Sequence, residues 1–331
     1  KIKKSFGIFN SNHTVAWFKE RGIELKKEAD NRMFPITDKS ITIINCFLDE
    51  AHKLGVIIKR ETKIESIEPF HNQIHLKIDG FNYPFDKVIV ASGGSPKLTG
   101  LEWLKKLGHS IKEPVPSLFT FNIPGNPIRK LMGLVVEEAT VRIQGTKLNY
   151  TGSVLMTHWG MSGPAVLKLS AWGSRLLAER DYQFNIQVNW VSIKSEEEAN
   201  ELLDLEFPNL RKKKMINANP FKLPSRMWEF LLRKVGVDKD SVWFELSKKN
   251  RNKLINVLLN DVYEVRGKTT FKEEFVTCGG VSRSDINMQT MESRVSKNLY
   301  FAGEVIDVDG ITGGFNFQAA WTTGYVAGKL N

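Results

Sequence analysis

The chain has 331 residues, 41% of them apolar and 25% charged, and carries a net charge of +10. That length is long for one core and predicts two domains of ordinary globular composition. No apolar run reaches membrane-spanning length and the N-terminus KIKKSFGIFN lacks a signal-peptide core. Cys46 and Cys278 alone give no disulfide framework, so a reducing cytoplasm is the expected setting.

In chain order, residues 13–22 predict a short helix ended by Gly22, and 32–35 a loop, because Pro35 forces Phe34 toward extended geometry. Asp38 is the expected N-cap of a helix with Ile41, Ile44, Cys46 or Phe47, Leu48, Ala51 and Leu54 on one stripe. Gly55 stops it, and strands are predicted over 56–59, 62–69, 74–78 and 83–85, the last three as a small meander. Residues 87–95 read as a buried parallel strand running into Ala91-Ser92-Gly93-Gly94. Glycines there let the backbone pass close to a ligand where a side chain would collide.

After His109 the composition changes. Pro114, Pro116, Pro124 and Pro127 punctuate a strand-rich segment with strands over 118–123, 139–143, 147–150, 154–157 and 184–190. Helices follow over 195–204, 224–235, 241–248 and 250–260. This predicts a domain at 113–272, β-rich over 113–190 and helical over 191–272, interrupting a first domain made of 1–112 and 273–331. Within it, Thr157-His-Trp-Gly-Met-Ser-Gly-Pro164 is a shaped loop before a helix whose N-terminus could face an anion. His158 could transfer a proton near pH 7, or merely hydrogen-bond its own loop. The basic clusters at 1–4, 211–214 and Lys248, Lys249, Arg251 and Lys253 have no interleaved stacking aromatics and read as solvated helix faces.

The first domain resumes with Glu274-Phe-Val-Thr-Cys-Gly-Gly-Val281, in which Cys278 is expected to be a small buried filler, and with Thr290-Met-Glu-Ser-Arg294. Residues 299–302 form a short apolar strand with Glu304 at its carboxyl end, the end where open α/β sheets bind ligands. Gly310, Gly313 and Gly314 then allow close backbone approach before a helix opens near Phe315 with free N–H groups. Ala319, Ala320, Thr323, Gly324, Ala327 and Gly328 suggest close packing of that helix on the sheet, so that Gly324→Leu should overpack it by 1 kcal/mol or more, roughly the cost of added core methylenes.

The stretch Gly303-Glu304-Val305-x-Asp307-x-Asp309-Gly310-x-Thr312-Gly313-Gly314-Phe315-Asn316 resembles the closing motif of two-dinucleotide-binding-domain flavoproteins. More narrowly, it resembles the bacterial family that includes aminoacetone oxidase and the 3-dehydro-bile acid reductase-like proteins. Ala91-Ser92-Gly93-Gly94 resembles the second FAD signature of that superfamily. The 157–164 box, the Thr277–Val281 turn and Thr290–Ser293 resemble further family boxes. The resemblance covers nearly the whole chain. It implies an α/β, Rossmann-like FAD-binding domain, incomplete at its N-terminus, with an inserted β-rich plus helical domain.

The activity implied is FAD-dependent hydride transfer between a small organic substrate and flavin N5, with NAD(P)H left open as co-substrate. Glu304 would hold the ribityl hydroxyls. Ile64, Ala91, Ser92, Gly93, Gly94, Gly303, Gly313, Gly314, Phe315 and Asn316 complete the cofactor set, and Thr277, Gly279 and His158 would face the substrate. No metal, membrane or nucleic-acid partner is expected. The G-x-G-x-x-G turn that opens Rossmann FAD domains is absent from residues 1–331. The expectation is therefore that this chain alone holds no stoichiometric FAD and exposes an apolar groove where the first strand and helix belong. The alternative is a non-catalytic binding protein on a relic flavoprotein fold, using its basic surface for an acidic partner.

Overall fold

The computed structural model describes residues 2–28, 31–269, 276–311 and 313–330. The chain divides into two compact units, Lys1–Val115 with Val276–Asn331, and Pro116–Phe275.

The first unit opens with helices α1 (Lys3–Ile8) and α2 (Ser11–Lys19). Asn10 starts α2 by accepting from the Asn12 and His13 amides at 3.0 and 3.3 Å, while His13 Nδ1 accepts from the Asn10 amide. Strands β1 (Leu25–Lys27) and β2 (Met33–Pro35) form an antiparallel hairpin. The loop expected at 32–35 is thus a strand over 33–35, because Pro35 tolerates an edge and its partner Leu25 lies ten residues upstream. Helix α3 spans Ser40–Lys53 with Lys39, not Asp38, at its N-cap; Asp38 sits at φ +54° and pairs with Lys26 at 2.7 Å. Its apolar stripe is largely exposed, with Leu54 at 75%, and only Cys46 is buried. The strand expected at 56–59 does not form, and Val56, Ile57 and Ile58 are exposed. Apolar character alone makes no strand without a neighbour to accept its ladder. The meander β3 (Ile64–Phe70), β4 (Gln73–Ile78) and β5 (Phe81–Phe85) is antiparallel throughout. Next come β6 (Val88–Val90), α4 (Glu102–Lys106) and β7 (Ile111–Pro116).

The second unit is a seven-stranded antiparallel sheet with helices. Its strands are β8 (Thr120–Asn122), β9 (Val135–Ile143), β10 (Asn149–Met156), β11 (Gly160–Ser162), β12 (Gln183–Asn189), β13 (Asp261–Arg266) and β14 (Lys268–Thr269). They lie in the order β13-β12-β9-β10-β11-β8-β14. The two end strands are consecutive pieces of one extended run, bent at Gly267 with φ +91°, so the sheet curls toward closure and leaves little free edge. Helices α5 (Pro164–Trp172) and α6 (Ser174–Ala178) follow β11. A helical layer of α7 (Glu196–Leu210), α8 (Ser225–Lys234) and α9 (Lys248–Leu259) lies between β12 and β13 in sequence. The helix expected at 241–248 is a single 3-10 turn, Trp243–Glu245. One core joins barrel and helices, with Trp190, Trp228 and Tyr263 among its largest buried side chains.

The first unit resumes with β15 (Thr277–Val281), which pairs with β7, and β16 (Leu299–Phe301), which pairs in parallel with β6. Helix α10 (Phe315–Gly328) closes the chain. The overpacking expected at Gly324 is not supported: a Cβ there meets nothing within 4 Å. Gly324 instead floors a small pocket of about 250 Å³ walled by aromatic rings.

Candidate functional site

The parallel pair sets the site. Val88, Ile89 and Val90 lie opposite Leu299, Tyr300 and Phe301, and the Ala302 amide donates to the Val90 carbonyl at 2.9 Å. Both strands therefore end together, delivering 91–94 and 302–304 to one edge. Beyond β16, Gly303 takes φ +75° and its amide donates to the Thr323 hydroxyl of α10 at 2.9 Å.

Glu304 is half-buried, and its Oε1 accepts from the Thr277 amide at 2.7 Å. A Cβ added to Gly94 would lie 2.8 Å from Thr277 Oγ1 and 3.0 Å from Glu304 Cδ. Three motifs far apart in sequence thus meet at one point, and only glycine fits at 94. The Thr277 hydroxyl is buried there and, among the described residues, has no hydrogen-bond partner. A buried hydroxyl left unpaired is costly.

The glycine-rich loop is held by its own helix. Asn316 Oδ1 accepts from the Gly310 amide at 2.9 Å, and its Nδ2 donates to the Gly310 carbonyl at 3.2 Å. The Asn316 side chain is thus spent on the loop. The Phe315 ring covers the α-carbon of Gly310, where a Cβ would come within 2.3 Å. Gly313 and Gly314 take φ +113° and +97°, and Gly314 is the N-cap of α10 without a capping side chain. Thr312 lies outside the described residues. The first N–H groups of α10 therefore carry a partial positive charge with no side-chain cap upon it.

Ile64, Ala91 and Ser92 come together elsewhere in the same unit. They line a cavity of about 730 Å³, walled by β3, β6 and α4 through Ile67, Val90 and Leu107. Gly93, at φ +77°, connects that cavity's rim to Gly94. Gly279 and Gly280 serve packing: Cβ atoms there would meet the Glu113 carbonyl at 2.7 Å and the Val305 carbonyl at 2.4 Å. Cys278 is buried.

His158 belongs to the other unit. Its ring is exposed and lies 4.1 Å from that of Trp159, and its carbonyl accepts from Arg129 Nε at 2.6 Å. The Thr157 hydroxyl accepts the amides of Trp159 and Gly160, which shapes the turn.

Sequence reasoning missed a buried histidine of the first unit. His109 Nε2 lies 2.8 Å from Ser293 Oγ and Nδ1 3.3 Å from the Leu104 carbonyl. Burial pushes its pKa below the ordinary histidine value, against the Leu104 carbonyl, which raises it. Asp285, which accepts from the Ser110 amide at 2.6 Å, is held below the usual carboxylate range; burial opposes this and hydrogen bonds from Ser110 and Ser284 prevail. The only signal was the 290–294 box, which supplies Ser293. Among the described residues no group of three or more His, Cys, Asp or Glu is placed to hold a metal, and no helix is long and apolar enough to cross a membrane.

The family model described as the HI0933-like protein Rossmann domain matches residues 1–330. The chain belongs to that family. Among curated relatives, the 3-dehydro-bile acid delta(4,6)-reductase of Clostridium scindens is 25% identical over 339 residues, covering 99% of this chain and 81% of that protein. The ribosomal RNA dihydrouridine synthases of Haemophilus influenzae and Escherichia coli are each 26% identical over 337 residues, covering 98% and 99% of this chain and 80% of each relative. Among solved structures, CtdE in complex with FAD and substrate 4 is similar at 8% identity and a TM-score of 0.33, covering 99% of this chain and 68% of that one. A mixed α/β, Rossmann-like first unit is what membership of the HI0933-like family requires, and the parallel β6–β16 pair with its strand-end loops is the corresponding feature.

Proposed function

We propose that the cluster at the ends of β6 and β16 is a flavin site and that the protein is an FAD-dependent oxidoreductase. The observation that carries this is the unpartnered, buried Thr277 hydroxyl beside Gly94 and the Glu304 carboxylate. The residues fit the group: a carboxylate for sugar-like hydroxyls, a cradle that any Cβ would fill, and an uncapped helix end. When bound, the flavin would supply hydride exchange at its N5 with an organic substrate.

The chain's own residues bind and orient. The Thr277 amide fixes Glu304 through Oε1, leaving its second oxygen to accept from ribityl hydroxyls. Thr323 fixes Gly303, and Asn316 fixes Gly310, so the acid and the loop hold their positions before any ligand arrives. The backbone at Gly314 and Phe315 supports negative charge on the ring edge it faces. Gly279 contributes by letting β15 lie against β7.

The relatives' names point to a substrate class. A delta(4,6)-reductase of a 3-dehydro-bile acid and a dihydrouridine synthase both concern hydrogens added across a ring carbon–carbon double bond conjugated to a carbonyl. We infer the same class here, a ring enone or its nitrogen analogue.

Two measurements test the reading. Flavin fluorescence titration should show FAD binding too weakly to be retained through purification, and riboflavin binding with an affinity within about threefold of it, under 1 kcal/mol, because residues 1–331 contain no G-x-G-x-x-G turn to grip a pyrophosphate. Failure to bind either flavin would sink the site. Photoreduced, flavin-loaded protein should be reoxidised by a ring enone faster than free reduced flavin is. Equal rates would remove the substrate class while leaving the flavin site standing.

A further inference from the structure

Nearly all of the chain's net charge is concentrated in one stretch. Residues 211–253 hold thirteen lysines and arginines against four acids, an excess of nine where the whole chain has ten. That stretch supplies α8 and α9 of the second unit's helical layer.

A cavity of about 530 Å³ opens between α8 and the turn Pro127–Leu131. Its wall is apolar at Pro127, Leu131 and Phe230 and cationic at Lys130, Arg226, Arg233 and Lys234. Two of these cations are already matched, Arg233 by Glu229 and Lys234 by the buried Asp261. The other two are not. Arg226 Nη2 donates to the Lys130 backbone carbonyl at 3.0 Å, both residues line the cavity, and no acid is placed on either among the described residues. A guanidinium and an ammonium over an apolar wall suit a phosphate with an attached ring.

In the same layer, the Arg211 guanidinium lies 4.7 Å over the ring of Phe244, which is 62% exposed. Lys212 and Lys213 beside it are exposed. An exposed aromatic face flanked by cations is what an unstacked base uses. In sequence the pair is invisible, because Phe244 comes from the 3-10 turn after α8 and not from the basic run itself.

We propose that this helical layer binds the phosphate backbone of a single-stranded nucleic acid, with the Lys130–Arg226 rim holding phosphate and the Arg211–Phe244 face stacking a base. A free nucleotide would need two or three cations, whereas residues 211–253 carry nine with no acid placed on them among the described residues, even with the six acids that α7 brings to the same layer, and such a row suits a polyanion. The inference does not rest on the flavin reading.

The test is fluorescence anisotropy of a labelled, mixed-sequence RNA of about 20 nucleotides with the full chain, across about 50 to 200 mM salt. The affinity should fall steeply with salt. Lys130→Glu with Arg226→Glu should weaken binding at least tenfold and flatten the salt slope by about two phosphate contacts. Lys130→Gln, whose exposed side chain supports nothing, should weaken it several-fold and guards against a folding artefact. Lys3→Glu with Lys4→Glu changes the net charge equally in the other unit and should leave affinity within about twofold. Phe244→Ala should lower affinity for single strands while leaving heparin binding unchanged. Equal loss in the Lys3/Lys4 control, full competition by polyglutamate, saturation by a free mononucleotide, or no RNA binding at low salt would each overturn the proposal.

Discussion

Replacing Thr277 by valine should stabilise the protein and weaken its hold on flavin, two effects of opposite sign from one atom. The Thr277 hydroxyl is buried in β15 without a partner among the described residues. An unpaired buried hydroxyl costs about 1–3 kcal/mol, and valine replaces it with a methyl of the same shape that also suits a strand. The new methyl adds apolar burial of up to about 0.8 kcal/mol. The expected gain for the flavin-free chain is therefore about 1–2 kcal/mol, read as an upward shift of the first unit's urea transition at unchanged slope. Flavin affinity should fall about tenfold, or ~1.4 kcal/mol, because the hydroxyl is the group left for the ligand. Thr120 makes the control. Its hydroxyl is likewise buried and unpartnered but lies in β8 of the other unit. Thr120→Val should stabilise without touching flavin affinity. A loss of stability in Thr277→Val would show that the hydroxyl already has a partner, and unchanged flavin affinity would show that it awaits none.

Glu304→Gln keeps the shape of the side chain but removes the charge, and should weaken flavin binding about tenfold with the circular dichroism spectrum unchanged; full affinity would take Glu304 out of the site. Gly324→Ala should raise stability by about 0.5–1 kcal/mol, since a Cβ there meets nothing and alanine is the better helix former; a drop in melting temperature would mean the helix face is closed after all. Burial keeps His109 neutral in the fold, so its pKa is lower folded than unfolded. The unfolded chain then binds the extra proton, and stability present above about pH 6.5 is lost as the pH falls through that value. His109→Gln should flatten the fall in melting temperature between about pH 7 and pH 5, and parallel curves would assign that fall to other groups.

What the sequence disclosed follows from how local each signal is. The apolar run at 299–302 and the glycines at 310, 313 and 314 announced β16, its loop and a helix opening at Phe315, because strand, turn and helix start each have a short-range signature. The bend at Gly267, the hairpin of β1 with β2 and the failure of 56–59 to pair were not legible. The bend and the unpaired run depend on whether a distant backbone is present to share hydrogen bonds, while the hairpin is local and was hidden by Pro35, which reads as a loop residue. The same holds around Glu304. Its strand-end position could be read, but its bond to the Thr277 amide and its contact with Gly94 are products of tertiary packing. Asn316 reads as a ligand residue and is a loop clamp, since nothing in its neighbours' types tells the two apart.

The pairing of β6 with β16 also dictates an order of events during synthesis. Val88 must wait for Leu299, about two hundred residues later on the ribosome, before its ladder exists. All the strands of the second unit are made within that interval, so it can complete its barrel before β6 has met its partner. Contacts of such long sequence separation form slowly and leave apolar surface waiting. The strand-end cleft therefore cannot assemble until β16 has been made.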